Sequence, residues 1–170
     1  LVEAMRRLWH EGHDAVLVLA GQIMDHFRRY FDALPKEDRQ RCRLLGVIGE
    51  GEKKDLLAAG DVFAMPSRTD SFGIVFLEAW TYGKPVIGAR AGGPQEIIVH
   101  GSDGLLVPFG DVEALAREIV RLLNDRDLAR RLGMVGRRKT LERYTWDRVY
   151  AQVAGLYNEL VTRRLNGRSS

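Results

Sequence analysis

The apolar residues of this chain form short runs that alternate between strand-like and helix-like spacing. Five runs are short, rich in aliphatic residues and closed by Gly or Pro, which predicts strands. They are DAVLVLAG (14–21), the first half of CRLLGVIGEG (42–51), DVFAMPS (61–67), KPVIGA (84–89) and GLLVP (104–108). Helical spacing marks LVEAMRRLWHEG (1–12), MDHFRRYFDAL (24–34), EKKDLLAAG (52–60), GIVFLEAWTYG (73–83) and GPQEIIVHG (93–101). This alternation predicts an α/β fold with a doubly wound parallel sheet.

The first predicted strand is apolar along nearly its whole length. Parallel sheets are normally covered by helices on both faces, and their strands are continuous apolar runs. We therefore expect the strand in 14–21 to be buried on both faces.

From Asp111 onward the spacing is helical throughout. It predicts helices over 111–125, 126–144 and 145–165, and only the final NGRSS has the composition of a frayed end. The last helix carries an apolar stripe at spacings of three and four, formed by Trp146, Val149, Tyr150, Val153, Leu156, Tyr157 and Leu160. We expect part of this stripe to lack a partner within the chain and to favour a homodimer.

Composition limits the class of protein. At 170 residues and 45% hydrophobic content, the chain is long enough for one domain with a sizeable core. Its single cysteine, Cys42, excludes a disulfide framework and a cysteine metal cluster, so we expect a reducing, cytoplasmic location. No apolar stretch approaches the roughly 20 residues of a membrane span.

Charge is distributed unevenly along the chain. Residues 126–170 hold 11 Lys/Arg against four Asp/Glu, whereas the first 125 residues hold 15 against 19. A solvated helical surface is the simplest interpretation of the basic tail, and nucleic-acid binding is not predicted. A peripheral approach of the parent protein to an anionic membrane is the alternative that the charge leaves open.

Two carboxylates lie near the third predicted strand, in SRTDSFGIVFLEAW (67–80). Asp70 precedes a Gly-containing loop, and Glu78 lies within an otherwise apolar helical run. Ligands of open α/β sheets bind outside the carboxyl ends of the strands, and a helix beginning near Ile74 would offer free N–H groups to a phosphate. Glu78 would then be close enough to accept hydrogen bonds from a vicinal diol such as a ribose. Spacing alone does not separate this hypothesis from a helix-capping Asp70 and a surface Glu78.

Other motifs are incomplete. The segment GVIGEGEK (46–53) lacks the Gly-Lys-Ser/Thr end of a P-loop, because a Glu precedes Lys53. No G-x-G-x-x-G follows the first strand. His10 and His13 have no third ligand nearby in the sequence, so no metal site is predicted.

Four side chains near the two carboxylates receive simple assignments. Phe76 and Trp80 have the spacing of core or rim residues on the predicted helix. Arg68 and Arg90 are close enough in sequence to contact a phosphate, although a solvated side chain is the simpler assignment for each.

Residues 66–111 resemble the donor-binding core of the family-four retaining GT-B glycosyltransferases. The signature of that family is two carboxylates separated by seven residues, then Gly-x-Pro-Val and Gly-Gly-x-x-Glu. Asp70 and Glu78 occupy the carboxylate positions, and 83–86 and 92–96 match the later elements. The chain departs at Asp70, where family members usually have the longer Glu. The resemblance extends over essentially the whole chain and implies the Rossmann-like half of a GT-B fold with a helical C-terminal tail.

The resemblance implies a role for each matching position. Asp70 and Glu78 would form the catalytic centre, with Asp70 on hydroxyls of the donor hexose and Glu78 on the ribose. The other implied donor-binding positions are Gly46, Val47 and Ile48 beside the base, Ser71, Phe72 and Gly73 beside the sugar, Ile74 and Val75 at the diphosphate, and Gly92 and Gly93, where backbone would approach the ligand. Glu96 fits a ligand role and a helix-start role equally.

The implied function is binding of a nucleoside diphosphate sugar, without a metal or other cofactor, for transfer of a hexosyl group to an unknown acceptor hydroxyl with retained configuration. The family's upstream Arg/Lys strand and acceptor-binding N-terminal domain are not in this sequence, and Leu1 opens in a helical pattern without a capping residue. Residues 1–170 are therefore expected to be an N-terminally truncated nucleotide-sugar-binding domain, inactive alone. A non-catalytic binding module and a nucleotide-sugar epimerase-like domain are the alternatives. The sequence does not specify the base, the hexose or the acceptor.

Overall fold

The computed structural model describes the backbone of residues 1–166 and the side chains of residues 1–161. Five strands are present: β1 (Leu17–Ala20), β2 (Cys42–Gly46), β3 (Phe63–Met65), β4 (Val86–Ala89) and β5 (Leu105–Val107). The described helices are α1 (Val2–His10), α2 (Asp25–Asp32), α3 (Lys36–Gln40), α4 (Glu50–Ala59), α5 (Ile74–Thr81), α6 (Pro94–Ile97), α7 (Val112–Asn124), α8 (Arg126–Arg143) and α9 (Trp146–Asn166). The frayed end predicted at NGRSS lies, apart from the backbone of Asn166, outside the described residues.

The predicted fold class is confirmed, because every predicted strand and helix is found and the described strands pair in parallel. One described helix was not predicted: α3, a short helix that follows Pro35. Acidic residues in its first turn and Arg39 in its last turn are the signals that could have revealed it.

The strands form two sheets, β1-β2 and β3-β4-β5, which share one core. Leu17 and Cys42 from the first sheet and Ile87 and Leu105 from the second belong to the same buried cluster. The pairing of β1 with β2 shifts register between Leu19 and Ala20, and β3 has only three residues. Such short and irregular strands leave little regular backbone for hydrogen bonds between the two sheets, so the sheets remain separate.

The expectation that β1 is buried on both faces was wrong. Leu17 is buried and Val18 is exposed, and Cys42 and Arg43 on β2 show the same alternation. Packing from α1, α2 and α7 covers one face of this pair, so apolar character on the other face does not mean burial. In contrast, every residue of β4 is buried, as expected for a central parallel strand, and every residue of the neighbouring edge strand β5 is buried as well.

Two glycines allow α8 to pack closely on α5. A Cβ built on Gly133 would lie 1.9 Å from the carbonyl oxygen of Gly83, and one built on Gly136 would lie 2.2 Å from the Trp80 ring. Trp80 and Phe76 are fully buried, which confirms their predicted place in the core. This packing fixes the inner face of α5, the helix that carries Glu78.

The apolar stripe of α9 is exposed as expected. Trp146 is 87% exposed, Tyr150 75% and Tyr157 67%. The homodimer predicted from this stripe stays a prediction. Within the described residues, no helix has the length and apolarity to cross a membrane.

Candidate functional site

The loop after β3 leads into α5 through a side-chain turn. Asp70 accepts a hydrogen bond at Oδ1 from the Phe72 N–H at 2.9 Å. Gly73, at φ +85°, is the N-cap of α5, in the left-handed region that favours glycine. The capping alternative for Asp70 therefore applies to the turn and not to the helix. Asp70 Oδ2 has no partner among the described residues, so one carboxylate oxygen is available to a ligand.

Gly92 and Gly93 bring the loop after β4 against the loop after β3. The Gly93 N–H donates to the Asp70 carbonyl at 2.8 Å. A Cβ on Gly92 would lie 2.7 Å from that carbonyl oxygen, and one on Gly93 would lie 2.4 Å from the carbonyl oxygen of Ser71. These contacts fix the shape of the loop that carries Asp70. The predicted approach of Gly92 and Gly93 to a ligand stays a prediction.

The first turn of α5 offers unpaired donors. No acceptor for the backbone N–H groups of Ile74 and Val75 is found in the part of the chain that the structure describes. They point out of the helix start, where the peptide dipoles give a positive potential. The helix begins at Ile74, as predicted, so this end of α5 is able to bind an anion.

Glu78 is held by a lysine from a neighbouring helix. Lys53 on α4 donates from Nζ to Glu78 Oε1 at 2.8 Å, and the same Nζ lies 3.0 Å from Glu50 Oε1. The hydrogen bond to Glu78 is the main cause that raises the pKa of the Lys53 ammonium. The Glu78 side chain is 34% exposed. Its Oε2 has no partner among the described residues and remains available.

Lys53 is the site residue that the sequence analysis missed. It was considered only as part of an incomplete P-loop, because its contact with Glu78 joins residues 25 positions apart on two helices. The sequence signal for Lys53 was its position, one turn into the helix that follows the segment 46–48. Only the packing of α4 on α5 shows that its partner is Glu78.

The segment predicted beside the base lies at the carboxyl end of β2. Gly46 has φ +69° and accepts the Gly21 N–H at 2.7 Å, which links the ends of β1 and β2. Val47 is 79% exposed, and Ile48 is half-buried. Val47 therefore presents an exposed aliphatic side chain shortly before the start of α4.

The remaining candidates are exposed. Arg68 lies with its guanidinium carbon 5.9 Å from the centre of the Phe109 ring, and Arg90 is solvated. Glu96 is exposed in the first turn of α6, which agrees with its helix-start role and leaves its ligand role untested. His10 is exposed, and among the described residues no group of three or more His, Cys, Asp or Glu is placed to hold a metal.

The structure thus gathers the predicted residues into two neighbouring groups. Asp70, Ser71 and Phe72 contact Gly92 and Gly93, and Glu78 contacts α4, which follows the segment 46–48. No hydrogen bond joins Asp70 to Glu78 in the described part of the chain. Two surface cavities, of about 290 and 310 Å³, lie elsewhere, between α1 and α7 and on α8.

Comparison with known proteins identifies relatives of this chain. Residues 1–139 match the family model described as glycosyl transferases group 1. The chain is 35% identical over 126 residues to N-acetyl-alpha-D-glucosaminyl L-malate synthase of Bacillus anthracis, which covers 74% of the chain and 33% of the relative. It is 40% identical over 151 residues to a GDP-mannose-dependent alpha-(1-6)-phosphatidylinositol monomannoside mannosyltransferase of Mycobacterium tuberculosis, covering 85% and 39%.

Solved structures show the same fold. HepE of Anabaena, in complex with UDP, superposes with a TM-score of 0.80 at 25% identity, covering 94% of this chain and 44% of that one. Sucrose-phosphate synthase of Thermosynechococcus elongatus gives 0.81 at 30% identity, covering 95% and 42%. The chain therefore spans less than half the length of these relatives.

Proposed function

Because this chain belongs to the glycosyl transferases group 1 family, we propose that it binds a nucleoside diphosphate sugar as the donor half of a retaining hexosyltransferase. One observation carries the proposal: along the chain, the free N–H groups at the start of α5 stand between two carboxylates, Asp70 and Glu78, and each carboxylate has one oxygen without a partner among the described residues. A nucleoside diphosphate sugar has the matching order of groups. Its sugar and its ribose offer hydroxyls to the two carboxylates, and the diphosphate that joins them offers negative charge to the N–H groups.

The diphosphate is assigned to the start of α5. The N–H groups of Ile74 and Val75 donate to its oxygens, and the helix dipole favours its negative charge. A carboxylate beside a phosphate would be repelled by its negative charge. In this assignment each carboxylate accepts hydrogen bonds from hydroxyls and does not contact a phosphate. The positive potential is fixed before the ligand arrives, so it also stabilises the charge that develops when the bond to the sugar breaks.

The ribose is assigned to Glu78 and the base to the segment 46–48. Lys53 occupies Oε1 of Glu78 and orients the carboxylate, which leaves Oε2 to accept from the 2′- and 3′-hydroxyls. Lys53 is thus a positioning residue in this proposal. Exposed Val47 offers an apolar surface to the base. The hexose is assigned to Asp70 Oδ2 and to the backbone of 71–73.

In the reaction of the whole protein, the bond from the sugar's anomeric carbon to the diphosphate breaks and the acceptor oxygen bonds on the same face, losing its proton. This chain's part is positioning of the donor and stabilisation of the leaving group. One relative is named for GDP-mannose and another protein, HepE, was solved with UDP, so both bases are candidates here. Action in the cytoplasm, on an acceptor hydroxyl and without a cofactor, belongs to the same proposal.

The alternatives have less support. The relatives and structures named above are synthases and transferases, which favours an enzyme over a non-catalytic module. An epimerase-like domain is not expected to carry the two-carboxylate spacing found at Asp70 and Glu78.

Calorimetric titration of the chain with a panel of nucleoside diphosphates tests the proposal. We expect saturable binding of UDP or GDP and weaker binding of the corresponding monophosphate, because only the diphosphate reaches the start of α5. An adenosine, cytidine and thymidine series completes the panel and identifies the base. Absence of binding across the whole panel would contradict the proposed function.

Replacing Asp70 by Ala should weaken binding of the nucleotide sugar about tenfold more than binding of the bare diphosphate. Only the sugar donor offers hydroxyls to Oδ2, and a lost hydrogen bond to a charged group is worth about 1.5–3 kcal/mol. Asp70→Asn is the matched control, because its amide oxygen still accepts the Phe72 N–H and preserves the turn. Equal losses for both ligands in Asp70→Ala would show that Asp70 serves only the turn.

A further inference from the structure

The exposed face of α8 carries an unusual number of arginines without acidic partners. Six arginines of this helix are exposed: Arg126, Arg130, Arg131, Arg137, Arg138 and Arg143. None of them forms an ion pair with any residue in the described part of the chain, although Asp127 and Glu142 are on the same helix. Among the described residues, the only ion-paired cation of α8 is Lys139, which faces inward to Asp103. The six exposed arginines and the exposed Asp127 and Glu142 together give the exposed surface of this helix a net charge of +4.

Two apolar side chains lie in the middle of this cationic face. Met134 and Leu141 are 49% and 51% exposed. At about 3.6 residues per turn, positions seven apart lie in line along a helix. The same geometry places Arg126, Arg130 and Arg137 on one side of that line and Arg131 and Arg138 on the other. Asp127 lies in the line itself, and Arg143 lies on the far side of the helix. The opposite side of α8, through Gly133 and Gly136, packs on α5.

The surface is also concave at its centre. A cavity of about 310 Å³ is lined by Met134, Arg137, Arg138, Leu141 and Glu142. Its wall thus combines two guanidinium groups and two apolar side chains with one carboxylate, that of Glu142. Guanidinium groups form paired hydrogen bonds with phosphate oxygens, which makes such a depression suited to a phosphate bonded to an apolar chain.

We propose that the outward face of α8 docks on an anionic lipid bilayer. Charge complementarity favours this partner, because each Lys or Arg near an anionic membrane surface adds to the attraction. The central Met134 and Leu141 favour it over a nucleic acid, because apolar side chains between cations enter the boundary between headgroups and acyl chains. A polyanion offers these two side chains no apolar environment.

Docking by α8 would also place the candidate site near the bilayer. The C-cap of α8 is Tyr144, whose ring centre is 6.0 Å from that of Phe72 in the loop after Asp70. The C-terminal end of α8 is therefore in direct contact with the loop at the start of α5. A protein docked through α8 holds that loop close to the membrane surface.

Co-sedimentation of the chain with vesicles tests the proposal. We expect binding to vesicles of equal parts phosphatidylcholine and phosphatidylglycerol, weakened by salt, and little binding to phosphatidylcholine alone. Arg137→Gln with Arg138→Gln should lower the partition coefficient roughly 25-fold, about fivefold for each arginine. The matched control is Arg28→Gln with Arg29→Gln on α2, which removes the same charge from two exposed arginines and should have a much smaller effect. High salt screens the attraction of the arginines, so the vesicle binding that remains there depends on the apolar side chains. Met134→Ser with Leu141→Ser should lower this remaining binding.

Three outcomes would overturn the proposal. The first is vesicle binding that the α8 and α2 double variants reduce equally, which would indicate only the net charge. The second is vesicle binding unaffected by the α8 variants, which would place the contact on another surface such as α9. The third is no vesicle binding together with binding of duplex DNA or RNA that depends on Arg137 and Arg138. Circular dichroism of each variant confirms that it is folded.

Discussion

Replacing Lys139 by Met is expected to lower the free energy of unfolding by about 3–5 kcal/mol, the range for removing one partner of a buried ion pair. Lys139 Nζ donates to Asp103 Oδ2 at 2.8 Å and also to the Ile97 carbonyl. The two side chains are only 15% and 4% exposed. Without Lys139 the Asp103 carboxylate keeps the Val99 N–H as a donor but loses its cation. Urea unfolding measures the change.

The consequences of this pair extend to the candidate site. The Asp103 carbonyl accepts the Trp80 indole N–H at 2.9 Å, so the cluster joins α8 to α5 and to the end of α6. Because α5 carries Glu78, a loosened cluster should also weaken nucleotide binding.

Two further variants control this prediction. Lys54→Met makes the same chemical change at an exposed position on α4 and should stay within about 0.5 kcal/mol of the wild type. Lys139→Met combined with Asp103→Asn should be less destabilised than Lys139→Met alone, because no unpaired buried charge remains. A Lys139→Met variant as stable as Lys54→Met would mean that the pair contributes nothing to stability.

Replacing Glu78 by Ala is expected to weaken nucleoside diphosphate binding by about 1.5–3 kcal/mol, or roughly 10- to 150-fold, the range for lost hydrogen bonds to a charged group. The physical reason is the loss of Oε2 as an acceptor for the ribose hydroxyls. Calorimetry with UDP and GDP measures the change. A 2′,3′-dideoxynucleoside diphosphate should bind wild type and Glu78→Ala with similar, weak affinity, since it lacks both hydroxyls.

The role of Lys53 can be separated in the same experiment. Lys53→Met keeps the Glu78 carboxylate but removes its orienting hydrogen bond, so it should weaken nucleotide binding less than Glu78→Ala. Its effect should also disappear with the dideoxy ligand. Glu37→Ala, which removes an exposed carboxylate on α3, is the matched control and should leave affinity unchanged. If Glu78→Ala weakens the ribose and dideoxy ligands equally, Glu78 does not contact the ribose.

The order of elements and the place of the site could be predicted from the sequence, because both depend on local patterns. Short apolar runs closed by Gly or Pro gave the five strands, and the helix beginning at Ile74 followed from the run of residues after Gly73. The positions of Asp70 and Glu78 relative to that helix followed from the same spacing. The pattern along one segment is sufficient to predict a feature that depends only on residues close together in the chain.

The sequence by itself thus determined which residues form the elements other than α3, and that Asp70 follows β3 while Glu78 lies within α5. Only the tertiary structure decided that Lys53 holds Glu78, that Gly92 and Gly93 support the Asp70 loop, and that one face of β1 is exposed. Each of these features joins or separates elements that are distant in sequence. Their formation depends on how helices and loops pack in three dimensions. Periodicity along the chain indicates which side of an element is buried, but it does not indicate which other element packs there.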